Sequence, residues 1–431
     1  MNAGAARIDI TPDHDVWMDG MLRAHRSTGV HDPLYAKALV LCETDLQKDG
    51  VAFISVDVCD IGTADNMAMR LRLTQKTGIP TDRIILAATH NHSGPATVGF
   101  FNPKEDDYVK ELTEKIVAVA DSAIRCLAPA AISCASGRED TISHYRRLLA
   151  DDGHVVMNWE PWPAERIVRT LGAIDPEVGM LKVVSAGDTA KTIALLFNHA
   201  GHPNVLSGDN YLLTSDYPGL AEKILEKKFG GTALFFNGAQ GSMDIDGLKD
   251  RDWEGRDRVG QALADAVAKT AQSAKPLAHV NLRVASIRYE VPARKISAKE
   301  QAWADRILEQ TGGAIKTVAD GVGDDYKATL YRELRTHEHQ PINLEQIGVA
   351  IDNSALISFP CELFTEIGQQ IKAQSPLKRT WCLGLANGHI GYVPTRTAIS
   401  QGGYEPDTRR LDDSAEELII AHSLELLRRL A

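Results

Sequence analysis

Several features that mark whole classes of protein are absent from this sequence of 431 residues. It has no dense run of lysine and arginine and its net charge is -11, so it lacks the concentrated cationic face that nucleic acids require. No window approaches the unbroken apolar length of a membrane-spanning helix. The start, MNAGAARIDITP, does not resemble a signal peptide, because no basic segment precedes an apolar one. We therefore predict a globular protein that binds neither nucleic acid nor membrane.

Paired cysteines and abundant aromatic residues are also missing. No CxxC pair occurs, and the six cysteines are widely scattered: Cys42, Cys59, Cys126, Cys134, Cys361 and Cys382. In a chain of this size they predict reduced, mostly buried thiols and a cytoplasmic protein. Aromatic residues make up only 6% of the chain, and no apolar or aromatic stretch suits contact with a lipid bilayer. Since nucleic acid and membrane are excluded, we expect the partner to be a small-molecule substrate.

Five short apolar runs have the composition of β-strands that are covered on both faces. These runs are 51–61, 83–89, 192–200, 232–238 and 355–360. Helical patterns lie between or after them, at 106–127, 217–230, 258–274 and 414–430. This alternation predicts an α/β fold with a mixed, mostly buried β-sheet core flanked by helices. We expect a single domain over residues 1–431.

The segment 297–340 differs from the rest of the chain. Two charged, amphipathic helical stretches, SAKEQAWADRILEQ and DDYKATLYRELRTHEHQ, flank a Gly-rich link. We predict that this segment is a helical insertion on the surface of the domain. His337 and His339 fall within its charged part, so we expect both to be solvated.

Four of the apolar runs end in a concentrated group of polar residues. These groups are THNHSGP (His90, His92), FNHAGHP (His199, His202), FNGAQGSMDID (Ser242, Asp244, Asp246) and FPCELF (Glu362). In open α/β folds the ligand site lies outside the carboxyl ends of the strands, so we expect the groups to meet in one crevice. Histidines together with a carboxylate form a ligand set that suits a catalytic zinc ion.

Each of these residues also has a structural interpretation. A single histidine after a strand is commonly a hydrogen-bonded structural residue, and Glu362 has the position of a carboxylate favoured at a helix N-terminus. Alternation in a strand directs both histidines of HxH to one face, which suits a shared site without requiring one. The combination of HxH, a later HxxH and a still later carboxylate favours a metal site. The remaining histidines, His389 among them, are expected to be ordinary polar residues.

Motifs in the same order along residues 4–405 resemble the catalytic domain of the neutral, non-lysosomal ceramidases. They are GAARIDITP, GVHDPLYAKALVL, VAFISVDV, ATHNHSGP, FNHAGHP, LLTSDYPG, FPCELFTEIG and LANGHIGYVPTR. The resemblance implies a single zinc ion held by His90, His202, Glu362 and Tyr392. It also implies that His92 lies beside the metal and contacts substrate. Arg146, with its neighbour Arg147 as the alternative, matches the arginine that binds the substrate head in that family.

The Gly-rich turn departs from the family pattern. The ceramidases carry NxGxxSPN there, whereas this chain has GAQGSMDID, so Asp244 takes the place of the family's serine. We expect Asp244 to face the substrate and Ser242 to cap the turn. Because the chain also has few aromatic residues, we expect a small, polar, water-soluble substrate rather than ceramide.

The expected function is that of a zinc-dependent hydrolase that cleaves a C–N amide bond with a metal-activated water. His92 would shuttle the proton to the departing amine, since histidine titrates in the required range. Asp57, Asp216 and Asn198 are candidates to orient the ligand imidazoles. Three alternatives stay open: a lactonase or esterase that uses the same zinc, a lyase or isomerase acting on a sugar-acid-like substrate, and a non-catalytic metal-binding relative.

Overall fold

A computed structural model describes residues 1–245, 251–316 and 321–431 of the chain. Asp246 and part of the Gly-rich link lie outside these ranges. The strands are, in chain order, β1 (Asn2–Asp9), β2 (Gly29–Val30), β3 (Tyr35–Cys42), β4 (Val51–Val56), β5 (Ile84–Ala88), β6 (Ala128–Arg138), β7 (His144–Tyr145), β8 (Arg147–Ala150), β9 (Val155–Met157), β10 (Ile167–Thr170), β11 (Glu177–Ser185), β12 (Thr192–His199), β13 (Leu212–Leu213), β14 (Thr232–Asn237), β15 (Met243–Asp244), β16 (Leu282–Val291), β17 (Ile342–Ile351), β18 (Ser354–Ser358), β19 (Glu362–Leu363), β20 (Arg379–Leu383) and β21 (Tyr392–Val393).

The structure has a helix at each helical pattern of the sequence, and it has further helices that were not predicted. They are α1 (Leu46–Asp49), α2 (Thr63–Thr77), α3 (Asp106–Arg125), α4 (Asp216–Phe229), α5 (Trp253–Ser273), α6 (Ala298–Thr311), α7 (Asp324–His337), α8 (Thr365–Gln374), α9 (Arg396–Gln401), α10 (Tyr404–Thr408) and α11 (Ala415–Leu430). Among the helices in the part of the chain that the structure describes, none has the length and apolar character that crossing a membrane requires.

The largest sheet has eight strands in the order β14-β12-β11-β6-β1-β3-β4-β5. Most neighbouring strands are antiparallel, but β12 and β14 form a parallel pair at one end, and β4 and β5 form another at the opposite end. The sheet bends so strongly that its ends meet: the Ser55 hydroxyl in β4 donates to the Phe235 carbonyl in β14 at 2.6 Å. As a result, the carboxyl ends of both parallel pairs lie in the same region.

A second sheet, in the order β16-β17-β18-β20, packs against the inner face of the first. Its strands β18 and β20 are also parallel. The two sheets share one apolar cluster, to which Phe53 and Leu234 contribute from the large sheet and Val349 and Trp381 from the second. Of this sheet, only β18 was expected from the sequence. The second sheet explains why the apolar runs are nearly continuous, because both faces of these strands are covered.

Helices cover the outer faces of both sheets. Helices α2 and α3 pack on β3, β4 and β5, and helices α4 and α5 pack on β11, β12 and β14. Helices α8 and α11 pack on the second sheet. The predicted α/β fold, a mixed and mostly buried β-sheet core flanked by helices, is therefore confirmed. The six cysteines are all free, and only Cys126 is exposed.

Helices α6 and α7, which we call the cap, are the two helices predicted for residues 297–340. They pack on each other around Ala304, Ala328 and Leu334, in a small apolar cluster of their own. Helix α6 begins with a capping box formed by Ser297 and Glu300. His337 and His339 are exposed, as expected, but the inner side of α7 reaches the candidate site described below.

Candidate metal centre

The side chains predicted to bind the metal lie in segments that follow strands of three parallel pairs, β4–β5, β12–β14 and β18–β20. His90 and His92 follow β5, and His202 follows β12. Glu362 lies in β19 just after β18, and Tyr392 lies in β21 after β20. Strands β19 and β21 are parallel, and their register places Glu362 directly opposite Tyr392. The strand ends therefore converge, as the sequence predicted.

His90, His92, His202 and Glu362 form what we call the donor cluster. Nε2 of His90 lies 3.1 Å from Nε2 of His202, 3.2 Å from Nε2 of His92 and 3.3 Å from Oε2 of Glu362. Nε2 of His202 lies 3.4 Å from the same carboxylate oxygen. In a tetrahedral zinc site, ligand atoms about 2.0–2.1 Å from the metal are about 3.3 Å from one another. His90, His202 and Glu362 thus have the mutual spacing of ligands around a zinc-sized ion.

Two atoms of the donor cluster, Oε2 of Glu362 and Nδ1 of His92, lack the hydrogen-bond partner that their burial requires in the part of the chain that the structure describes. Oε2 of Glu362 is buried and has no hydrogen-bond partner among the described residues, although two ring nitrogens lie close by. Burying a charged oxygen without a partner costs free energy, and a cation removes that cost. The donor set therefore fits a divalent metal ion.

The surroundings shift the pKa values of Glu362 and His90 in opposite directions. Burial alone would raise the pKa of Glu362, but the neighbouring His90 and His202 hold that pKa well below its ordinary value. Burial alone would lower the pKa of His90, but the adjacent Cys59, Glu362 and Asp60 raise it well above its ordinary value. Glu362 is therefore ionised, and a cation that binds here would displace a proton from His90.

The other two histidines of the donor cluster are held in the neutral form. Burial and the Arg146 guanidinium lower the pKa of His202. Burial and the neighbouring His90 and His202 lower the pKa of His92 well below its ordinary value. A neutral imidazole is the form that binds a metal or accepts a proton.

The main chain fixes the loop that carries HxH. His90 has a φ of +70°, in the left-handed region that residues other than glycine rarely adopt. Its main-chain N–H donates to the carbonyl of Val58 at 3.1 Å, and that of His92 donates to the carbonyl of Pro203 at 3.0 Å. Gly20, at φ +88°, lies against the His92 ring, where a Cβ atom would come within 2.4 Å of Cγ. Only glycine therefore leaves room for this ring.

Arg146 is directed at the donor cluster by a buried carboxylate. Its Nε donates to Oε1 of Glu405 at 2.7 Å, its Nη2 donates to the carbonyl of Gly241 at 2.8 Å, and its Nη1 lies 3.2 Å from Nε2 of His202. The other oxygen of Glu405 accepts from Nη1 of Arg147 at 2.7 Å. Of the two arginines, Arg146 is the one beside the donor cluster. Three rings lie within 5.7 Å of its guanidinium, those of Trp159, Tyr392 and Tyr404.

Asp244 and Ser242 lie farther back in the Gly-rich turn. Asp244 is fully buried, and its Oδ2 lies 3.5 Å from Nη2 of Arg251. The Ser242 hydroxyl donates to Glu366 at 3.0 Å and accepts from the main-chain N–H of Thr365 at 3.0 Å. Ser242 thus holds the first turn of α8, and Asp244 contacts an arginine that lines the site.

Two residues beside the donor cluster were not singled out in the sequence. Asp60 has its Oδ1 3.7 Å from Nδ1 of His90 and 3.7 Å from Nε2 of His389. Nε2 of His389 also lies 3.7 Å from Oε1 of Glu362. The available signals were that Asp60 closes the apolar run 51–61 and that His389 lies in the GHIGYVP motif beside Tyr392.

The residues predicted to orient the ligand rings are engaged elsewhere, so that prediction is wrong. Asp57 follows β4 directly, and its Oδ2 accepts from the main-chain N–H of Tyr35 at 2.9 Å. Asp216 accepts from the main-chain N–H of Val205 at 3.1 Å. Asn198 lies within β12 and donates to main-chain carbonyls of β14 and β20. These side chains hold neighbouring backbone segments, whereas Asp60 lies beyond its strand and reaches His90.

The donor cluster lies between two small cavities. The first, which we call the apolar cavity, measures about 60 Å³, and its wall includes Phe100, Phe101, Tyr326 and Leu330 besides charged groups such as Asp60 and Arg410. The second, which we call the polar cavity, measures about 30 Å³, and its wall includes Arg146, Trp159, Asn204 and Arg251. His92, Tyr392 and Tyr404 line both cavities. The site therefore offers an apolar and a polar compartment on either side of the same donors.

Solved structures show the same fold. A structure described as "Ceramidase complexed with C2" superposes with a TM-score of 0.76 and 19% sequence identity, over 100% of this chain and 75% of that one. A neutral ceramidase from Pseudomonas aeruginosa superposes with a TM-score of 0.73 and 18% identity, over 99% of this chain and 74% of that one. At such identities the similarity shows the fold alone.

The family assignment rests on the match of the sequence to a family model. Residues 1–268 match the family model described as "Neutral/alkaline non-lysosomal ceramidase, N-terminal". This match covers more than half of the chain and includes the segments of His90, His92, Arg146 and His202. The chain belongs to the neutral/alkaline non-lysosomal ceramidase family.

Proposed function

We propose that this protein is a zinc-dependent hydrolase that cleaves a C–N amide bond in a small polar substrate. Membership of the ceramidase family fits a hydrolase. The observation that supports a bound metal is the spacing of 3.1–3.4 Å among donor atoms of His90, His202 and Glu362. One of these atoms is a buried carboxylate oxygen without a hydrogen-bond partner among the residues described. Tyr392 completes the proposed ligand set for one ion, and residues 1–431 act as one catalytic domain.

Zinc, when bound, supplies a Lewis acid that lowers the pKa of a water molecule towards about 7 and polarises a carbonyl group. His92, held neutral, accepts a proton from the attacking water and delivers it to the amine nitrogen as the C–N bond breaks. Arg146 donates to the polar head of the substrate from its position beside His202. Asp244 contributes by holding Arg251 at the wall of the polar cavity.

The two cavities support a substrate that is small and partly polar. The polar cavity has two arginines and an asparagine in its wall, and such donors recognise oxygen-rich groups. Neither cavity approaches the volume of about 300 Å³ at which pockets for drug-sized ligands begin. We therefore propose a compact amide, and ceramide serves as a test compound in the panel below.

Elemental analysis of two matched variants tests the metal. His202→Ala removes a proposed ligand, so the purified variant should lose its zinc while retaining its circular dichroism spectrum. His199→Ala is the control from the same FNHAGHP motif. It should keep the metal, because the His199 ring contacts the Ser143 hydroxyl and the Glu177 carbonyl instead. No more than a trace of metal in the unmodified protein, or full occupancy in His202→Ala, would contradict the proposal.

A substrate panel tests the reaction. Short N-acyl amines, ceramide and lactones are offered to the metal-loaded protein, and we expect turnover of the short amides. His92→Ala should lower that turnover by about 10²–10⁴-fold, the usual contribution of a general acid–base group, with the metal retained. Unchanged turnover would contradict the role of His92. Activity on lactones alone would identify a lactonase, and a metal-loaded protein inactive on the whole panel would be a non-catalytic relative.

A further inference from the structure

Two segments that are far apart in the sequence contribute side chains to the wall of the apolar cavity. Phe100 and Phe101 come from the loop after HSGP, and Tyr326 and Leu330 come from α7 of the cap. The ring centroids of Phe101 and Tyr326 are 5.0 Å apart. Tyr326 and Leu330 are four residues apart in a helix, so they share one face and both reach the cavity. The cap therefore forms a wall of the site.

The cap is held in this position by contacts with the body of the protein. Nη1 and Nη2 of Arg410 lie 2.7 and 3.3 Å from the two carboxylate oxygens of Glu333 in α7. The same guanidinium lies over the ring of Phe100, 5.6 Å from its centroid. Farther along α7, Tyr331 packs under Arg294 at 4.8 Å. The distance between the cap and the donor cluster is thus fixed by side chains on both sides of the cavity.

The size of the apolar cavity limits which groups can lie beside the donors. At about 60 Å³ the apolar cavity exceeds the 10–15 Å³ or so that one water molecule needs. It is nevertheless far below the volume of about 300 Å³ at which pockets for drug-sized ligands begin. A group of a few heavy atoms therefore fits above Glu362 and His90, whereas an extended hydrocarbon chain meets Phe101, Tyr326 and Leu330.

We propose that Phe101, Tyr326 and Leu330 determine specificity by size and that the substrate carries a short acyl group. This inference rests on the proposed function. The acyl group occupies the apolar cavity, because its wall offers aromatic and aliphatic carbon. The polar head occupies the cavity of Arg146, since burying polar groups against apolar carbon costs free energy. The scissile carbonyl then lies between the two cavities, beside His92, which lines both.

A series of alkyl hydroxamates, which chelate divalent metals through two oxygens, tests this inference by binding rather than by turnover. Acetohydroxamate, butyrohydroxamate and octanohydroxamate are titrated into zinc-loaded protein by calorimetry. We expect the acetyl compound to bind at least about tenfold more tightly than the octanoyl compound, as a wall that rejects a few methylenes requires. Phe101→Ala and Leu330→Ala should each remove this difference by admitting the longer chain. Phe101 lies outside the apolar cluster that holds α6 and α7 together, so the result for Phe101→Ala holds even if Leu330→Ala loosens α7.

The control is Thr336→Ala, on the exposed side of the same helix, which should keep the preference for the short chain. Equal binding of all lengths to the unmodified protein would overturn the inference, and so would an unchanged preference in both Phe101→Ala and Leu330→Ala. If zinc-loaded protein binds none of the hydroxamates, the proposed metal centre fails as well. A length preference can therefore be tested separately from the reaction itself.

Discussion

The donor cluster with the buried groups that support it, which we call the floor, and the cap are built in opposite ways. In the floor, His202 in the loop after β12 is 1% exposed and Glu405 in α10 is 0% exposed. The cap consists of two helices around a small cluster of their own, and its contact with Arg410 uses Glu333, whose side chain is 50% exposed. We therefore expect the proposed chemistry to depend on the deeply buried floor and the proposed selectivity to depend on the cap.

The largest expected effect concerns the floor. Glu405→Gln removes the carboxylate that pairs with two buried guanidinium groups, those of Arg146 and Arg147. Breaking a buried ion pair from one side costs about 3–5 kcal/mol, because a charge is left uncompensated. We expect urea denaturation to show a loss of that size in the free energy of unfolding.

The control for this measurement is Glu114→Gln, whose carboxylate pairs with Arg72 on the surface and is 62% exposed. Exposed pairs contribute about 0–1 kcal/mol, so this variant should be almost as stable as the unmodified protein. A loss below about 1 kcal/mol for Glu405→Gln would mean that the floor is not more strongly held than the surface, and the comparison would fail.

The second-largest expected effect is a loss of stability within the cap. Leu334→Ala leaves a void in the small cluster of α6 and α7, and such truncations cost about 2–5 kcal/mol. We expect faster hydrogen exchange confined to the amides of α6 and α7, with zinc affinity unchanged within about twofold, since the donor cluster has its own supports. Weakened zinc binding in this variant would show that cap and floor are coupled.

The residues at the strand ends could be predicted from the sequence because each apolar run stops abruptly at a polar group. His90, His202 and Glu362 all stand at such points, so local pattern alone placed them at one edge of the fold. The strands at 51–56, 84–88, 192–199 and 232–237 also agree with the runs. Their continuous apolar character required a cover on both faces, which the helices and the second sheet provide.

The remaining features depend on contacts between distant parts of the chain. Asp60 meets His389, and Arg146 meets Glu405, across more than 250 residues. Neither pair leaves a periodic signal, because each partner alone looks like an ordinary polar residue. The cap was predicted as a surface insertion from its charged helices, and only packing shows that Tyr326 and Leu330 face the site.

A smaller effect, a loss of zinc affinity, is expected to distinguish Asp60 from the residues that were wrongly predicted to orient the ligands. Asp60→Asn removes the negative charge 3.7 Å from Nδ1 of His90, whose hydrogen-bond partner is the Cys59 carbonyl at 3.1 Å. We expect metal affinity to fall by about tenfold, the lower end of the effect of removing a group that supports a metal ligand. Competition with a fluorescent zinc chelator measures this change. Asp57→Asn is the matched control, since Asp57 contacts the main chain of Tyr35. An equal loss of affinity in both variants would show that Asp60 has no special role.

The smallest effect is expected where the cap meets the body. Glu333→Gln weakens the pair with Arg410, but Glu333 is half exposed and water screens such pairs, so the free energy of unfolding should fall by less than about 1 kcal/mol. The difference in the free energy of unfolding between this variant and the unmodified protein should be smaller still in about 1 M salt, where charges are screened within about 3 Å. Glu309→Gln, on the exposed side of α6, should have no effect on stability and serves as the control. A loss above about 2 kcal/mol from Glu333→Gln would exceed what a screened surface pair can contribute. The cap and the floor would then unfold as one cooperative unit, and selectivity could not be changed without also disturbing the metal centre.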